Sequence, residues 1–250
     1  MCPAMKAASS NTNPMSADPR LWSVRHATPM DDAAALVLDR WDIDPREVGA
    51  VPRRPDDRVD VLLAPVVEDE REWVDKLWDS LWRWQALRSS GVFKEAQRPA
   101  FRRLVRELRQ EVAPVWTTPL PARANENDQS ATLREVIDLH RSTMERAEFQ
   151  RVKPKGTRLM TASKLLHHLL PDLVVPLDGR YTVRFFGRRQ LPRDPDEVIA
   201  FLDHAYGSFI EIATIAGRDS LESLMDMDAG RTSVPRIIDM GIAGYVWEQL

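Results

Sequence analysis

From Glu68 onward the apolar residues of this chain recur at intervals of three and four, and stretches that alternate every second residue are scarce. That regularity confines the chain to helices. It is clearest at 68–84, where Trp73, Leu77, Leu81 and Trp84 form one stripe and Val74, Trp78 and Trp82 an adjacent one. Together they cover about half of a helix surface. Such indoles read as a base-stacking or sugar-binding surface, or as a core helix packed all round; their spacing favours the core. A second helix is predicted over 97–112, with Pro99 tolerated in its first turn. There Phe101, Leu104, Val105 and Leu108 face inward, while Arg102, Arg103, Arg106 and Arg109 make a stripe that either meets phosphates or is simply solvated. Residues 114–129, with three prolines, read as a loop. A third helix is predicted over 130–149 with Ser130 as its cap, and others over 159–170, 179–186, 195–217 and 235–250. The predicted class is mostly α: a multi-helix globular domain over 31–250 with a tryptophan-rich core, or two lobes at about 31–125 and 126–250.

Composition supports a folded body with a different start. Hydrophobic residues make up 43% of the 250 and charged residues 29%, a globular mixture. Residues 1–30 lack periodicity and the apolar centre of a signal peptide, and read as a disordered leader. Asp31 and Asp32 are placed to cap a short helix over 33–41; Pro45 and the 51–57 stretch break the chain; 59–67 reads equally as a strand or as the start of a helix. No stretch approaches the ~20 apolar residues of a membrane helix, so no membrane association is expected. The lone Cys2 excludes an internal disulfide framework and a cysteine-based zinc site, and a reduced, cytoplasmic compartment is expected.

The near-neutral total of −3 hides an uneven distribution. Residues 30–70 hold five basic and twelve acidic groups, and 194–250 hold three and eleven. Between them, 151–193 hold ten basic groups against two acidic, Asp172 and Asp178, a local excess of +8. Such a block is either a polyanion footprint or one half of an internal pairing with its acidic neighbours.

The chemistry concentrates in the same block. A basic turn containing Gly156 leads into a helix whose first turns carry Thr161, Ala162 and Ser163, a start whose backbone N–H groups can accept a phosphate. Leu165, Leu166, Leu169 and Leu170 form its buried side, and Pro171 ends it. The apolar run Val174-Val175-Pro176-Leu177 then delivers Asp178 to the next helix. Asp178 is isolated among arginines. It reads as an N-cap, or as a catalytic carboxylate that steadies positive charge on a sugar or activates water; the roles are compatible, since a capping carboxylate is held rigidly.

From Gly156 and Ala162 to Val175-Pro176-Leu177-Asp178-Gly179-Arg180-Tyr181-Thr182-Val183-Arg184, about 35 residues, the chain resembles the core of helix-hairpin-helix DNA glycosylases, and uncharacterised bacterial relatives of that core. Members carry a Gly-containing hairpin, a small residue at the following helix start, and an apolar segment ending in Pro-Val-Asp-x-x-Val-x-Arg. The resemblance implies DNA as partner and Asp178 as the catalytic aspartate. It further implies Lys155, Gly156, Arg158, Thr161, Ser163, Lys164, Arg180 and Arg184 as the nucleic-acid-binding set, with hydrolysis of the N-glycosidic bond of a flipped base. The family hairpin usually reads Leu-Pro-Gly-Val-Gly, whereas here Pro154-Lys155-Gly156-Thr157-Arg158 has one glycine. The position of the Schiff-base lysine of bifunctional members falls on Met160 or Arg158, depending on the alignment, so a monofunctional, water-using hydrolase is implied; Lys155 and Lys164 stand nearby. With no set of four cysteines the iron–sulfur cluster of some members is not implied, and no cofactor is expected.

The remaining signals are quieter. His167 and His168 point about 100° apart on a helix, which favours packing or hydrogen bonding over shared metal binding, and no metal site is expected. Arg180 and Arg184 share a helix face and can grip adjacent phosphates, or pair with the acidic C-terminal region. Gly241 and Gly244 in the last helix suggest a close helix contact. No phosphate-loop or nucleophile-elbow signature occurs. Three functions stay open: a glycosylase-like DNA-binding enzyme, a non-catalytic helical module binding nucleic acid or protein, and an enzyme on a small substrate.

Overall fold

The tryptophan stripe turns inward. In α1 (Glu70–Arg83) Trp73, Val74, Leu77, Trp78 and Leu81 are all buried, and Trp78 meets Phe101 of α2 (Arg98–Val112) edge-on at 5.0 Å. These indoles are core, not a stacking surface. The computed structural model describes residues 70–83, 97–121, 126–154, 156, 158–226 and 231–248. The expected leader, the 33–41 helix, the breaks at Pro45 and 51–57, the 59–67 stretch, the side chain of Trp82 and the whole of Trp84 lie outside the described residues.

The arginine stripe of α2 has a different use from either expectation. Arg102 grips Asp75 of α1 with two prongs, Nη2 to Oδ1 at 2.9 Å and to Oδ2 at 2.8 Å. Arg103 reaches Glu148 at 3.9 Å. Arg109 lies over the rings of Trp73 at 5.1 Å and Trp116 at 5.9 Å. Three of its four arginines therefore tie α2 to its neighbours rather than to phosphates or to water alone.

The third predicted helix is two. α3 (Glu126–Glu145) starts before Ser130, which is no cap: it sits inside the helix, and its carbonyl accepts from Arg134 Nε at 3.1 Å. The chain breaks at Arg146, whose backbone is extended (φ −61°, ψ 136°), and resumes as α4 (Ala147–Val152). The Arg146 guanidinium reaches Glu107 of α2 at 3.0 Å and also Glu111. A long-range pairing of this kind leaves no trace in local periodicity.

α5 (Arg158–Leu169), α6 (Tyr181–Phe185), α7 (Pro195–Ala216) and α9 (Val234–Glu248) follow the predicted pattern with trimmed ends; the short α8 (Arg218–Glu222) was not expected. Asp194 caps α7 by accepting from the N–H groups of Asp196 and Glu197 at 3.0 and 3.3 Å. Among the described residues the only extended pairing is an isolated bridge between Asp226 and Arg231, so the fold is mostly α. α3 packs against α4, α5 and α7, and α9 packs against α6, α7 and α8. One apolar core runs from Trp73 to Val246, so helices on both sides of residue 125 share it. Among the described residues α7 is the one helix long and apolar enough, by length and composition, to cross a membrane. Here most of its surface is buried in the fold, and Asp203, Gly207, Glu211 and Thr214 make a narrow exposed seam four or fewer residues apart.

The centre of the core holds a histidine. His140 of α3 is fully buried, its Nδ1–H donates to the Val136 carbonyl at 2.8 Å, and its ring meets Tyr206 edge-on at 5.7 Å. Burial, opposed in part by that hydrogen bond, pulls its pKa from 6.5 to about 4. A depressed histidine stabilises the fold fully above pH 6.5, and that contribution is lost as the pH falls through about 4. Urea unfolding at pH 7 and pH 4 is expected to show the wild type losing roughly 3 kcal/mol more than His140→Leu over this interval. Equal losses would contradict the assignment.

Candidate functional site

The stretch from Leu173 to Leu177 leaves the turn after α5 as irregular chain, apolar and inside the protein: Leu173, Val174, Val175 and Leu177 are each at most 1% exposed. A buried segment outside any helix has backbone groups that must be satisfied some other way. The Leu173 and Val174 N–H groups return to the Leu170 carbonyl at 3.2 and 2.9 Å. Side chains from three helices serve further groups. His167 of α5 donates Nδ1–H to the Val174 carbonyl at 2.7 Å. Tyr206 of α7 donates its hydroxyl to the Val175 carbonyl at 3.5 Å. Ser163 of α5 accepts the Leu177 N–H at 3.0 Å and donates to the Met160 carbonyl at 3.0 Å. Thr182 of α6 accepts the Asp178 N–H at 2.8 Å.

Asp178 emerges from this clamp. Its Oδ1 accepts the N–H groups of Arg180 at 2.6 Å and Tyr181 at 2.9 Å, closing a reciprocal cap with Thr182. Its Oδ2 faces Nζ of Lys164 at 3.8 Å. The Asp178 side chain is 32% exposed and that of Lys164 10%. The carboxylate is thus held rigidly by one oxygen and presented at the surface beside an inward-lying cation. The Oδ1 bonds close a turn leading into α6, whose own N-cap position is Arg180 and carries no side-chain cap bond.

A second charged pair stands behind the first. Arg236 and Asp239 of α9 are bound to each other and almost enclosed, 13% and 11% exposed. Burial pushes the Asp239 carboxyl up from its ordinary range; Arg236 pulls it down, the Asp178 charge pushes it up, and Lys164 pulls it down. Sequence reading missed both residues. They sit one turn into a helix whose periodicity is apolar, and that helix packs on α6, which follows Asp178 in the chain.

The expected nucleic-acid-binding set divides. Arg180 and Arg184 are exposed on and beside α6, with the Arg180 guanidinium 5.3 Å from the Tyr181 ring centroid. Gly156 is exposed with φ 84°, a left-handed turn between α4 and α5 that suits glycine alone. Arg158 is half-buried at the start of α5, its guanidinium 3.3 Å from the Pro154 carbonyl. Lys155 lies outside the described residues. The side chains of Thr161, Ser163 and Lys164 are buried, which corrects their phosphate role: Ser163 holds Leu177 and Lys164 pairs with Asp178. Met160, one of the two positions aligned with the Schiff-base lysine, lies beside the residue after Asp178: a Cβ on Gly179 would come 3.3 Å from its sulfur.

The C-terminal acids pair locally, Asp226 with Arg231, Asp239 with Arg236 and Glu222 with Arg218, while Arg189 and Arg193 are exposed. Among the described residues no three His, Cys, Asp or Glu side chains gather as a metal site requires. The chain matches no family model, no curated protein and no solved structure.

Ser163→Ala strips the buried Leu177 N–H of its acceptor, and a loss of about 1–3 kcal/mol is expected in denaturant unfolding. A loss indistinguishable from zero would mean that the clamp contributes nothing.

Proposed function

We propose that this chain is a DNA-binding protein of glycosylase-like activity, with Asp178 as the catalytic carboxylate. The observation that carries the reading is the division of labour within one side chain: Oδ1 is fixed by two backbone N–H groups, while the side chain stays one-third exposed beside the outward-facing Arg180 and Arg184. A left-handed glycine turn between two helices, ahead of the clamped segment, supports it further. In this reading Arg180 and Arg184 hold backbone phosphates and a nucleotide is flipped toward Asp178. The bond between the sugar C1′ and the base nitrogen breaks, and positive charge grows on the sugar. The Asp178 carboxylate stabilises that charge and orients a water. The water oxygen bonds to C1′, and the proton balance is completed on the departing base.

The alternative is a non-catalytic helical module in which Asp178 only caps α6; the full use of Oδ1 by the backbone favours it. Asparagine caps helices about as well as aspartate, so Asp178→Asn separates the two readings. The glycosylase reading expects abasic sites in a panel of damaged or modified duplexes, with at least a hundredfold loss in Asp178→Asn that circular dichroism shows to be folded. Binding without abasic sites in the wild type leaves the module.

Phosphate contact has its own signature. Each neutralised phosphate contributes about 0.9 to the slope of log affinity against log salt on duplex DNA. Arg180→Gln with Arg184→Gln is expected to reduce that slope by roughly 2 in fluorescence-anisotropy titrations. An unchanged slope would remove these arginines from the interface.

A further inference from the structure

The two carboxylate oxygens of Asp178 are held from different parts of the chain. Oδ1 accepts the N–H groups of Arg180 and Tyr181, which fix it to its own turn. Oδ2 faces Nζ of Lys164 at 3.8 Å, which ties it to α5. The same helix holds the approach to Asp178. Ser163, next to Lys164 in sequence, accepts the Leu177 N–H at 3.0 Å and donates to the Met160 carbonyl at 3.0 Å. Two consecutive residues of α5 therefore hold the backbone just before Asp178 and the carboxylate itself.

Exposure separates this cation from the arginines nearby. The Lys164 side chain is 10% exposed, whereas Arg180 and Arg184 stand at the surface. The Arg180 guanidinium lies 5.3 Å from the Tyr181 ring centroid. A lysine that gives up most of its hydration needs an anion close to it, and Asp178 is one. An inner cation so placed takes the oxygen that an outer arginine would otherwise claim, and the outer arginines stay available to phosphate.

We propose that Lys164 is a positioning residue of the Asp178 site: from α5 it holds Oδ2, and so sets the direction in which the carboxylate meets the sugar. Its catalytic meaning rests on the glycosylase reading; the ion pair itself does not. Lys164 touches neither phosphate nor sugar in this scheme, forms no covalent bond with substrate, and works through Asp178 alone.

The test measures single-turnover abasic-site formation and duplex affinity with the full-length protein. Lys164→Met removes the charge and keeps most of the side-chain length. It is expected to slow the reaction at least tenfold while duplex affinity changes less than about twofold. Lys164→Arg returns a cation to the site and is expected to recover most of the rate. An unslowed Lys164→Met, or an equal loss in both variants, overturns the proposal. Salt dependence separates positioning from phosphate contact. The slope of log affinity against log salt is expected to stay unchanged in Lys164→Met; a fall of about 0.9 would put Lys164 on a phosphate and overturn the positioning role. If Lys164→Met does not fold, Lys164→Gln, which keeps a polar head without the charge, is read in its place. A second arm follows the Lys164 side-chain ammonium by nitrogen NMR. Its signal is expected to move in Asp178→Asn while those of the other lysines stay, and a signal that does not move overturns the pair. A wild type that forms no abasic sites overturns the glycosylase reading instead, and the ammonium signal still decides the pair.

Discussion

The structure depends on a stretch of irregular backbone kept inside. Residues 173–177 cross the interior outside any helix, and each buried peptide group left unbonded there would cost on the order of 1–3 kcal/mol. The Leu170 carbonyl takes the first two N–H groups, and His167, Tyr206, Ser163 and Thr182 supply further partners from α5, α7 and α6. The helices are thereby locked to one another through this segment as well as through their apolar faces. Where the segment ends, Asp178 has little freedom left. Its backbone N–H and one carboxylate oxygen are already engaged before any substrate arrives.

That arrangement explains why several polar residues lie where polar residues are seldom found. Ser163, His167 and Thr182 are almost completely buried, each with a named backbone partner. Lys164 is buried beside Asp178, and Asp239 beside Arg236. Enclosed ion pairs stabilise a fold poorly compared with apolar packing, because desolvation offsets most of their attraction. What they provide is a definite geometry, and here the geometry converges on one partly exposed acid.

Electrostatics elsewhere is mostly internal. The basic stripe of α2 is engaged by Asp75, Glu148 and two indole rings, and Arg146 by two glutamates. The acidic C-terminal part pairs within itself at three places. Arg151, Arg180, Arg184, Arg189 and Arg193 are the exposed arginines of the positive block among the described residues, and Arg180 gives its N–H to Asp178. A charge excess read over forty residues of sequence thus divides into buried lysines, Lys153 and Lys164, and a set of exposed arginines.

Helix class and the inward Trp73 and Trp78 were legible because they depend on neighbours three or four residues apart, or on local composition. The cap on α6 was legible for the same reason: Asp178 and the amides it binds lie within three residues. The break at Arg146 was hidden, since it goes with ion pairs to residues 35 and 39 positions earlier. So were the duties of Ser163 and Lys164, which sequence alone placed on phosphates and packing turned inward toward partners fourteen residues ahead. Arg236 and Asp239 were hidden most completely, because their relation to Asp178 exists only once α9 lies on α6. The sequence by itself determined most of the helical segments and placed an acid just ahead of α6. Tertiary packing decided which charges surround that acid, since Coulomb forces and burial act through space and local periodicity carries no record of them.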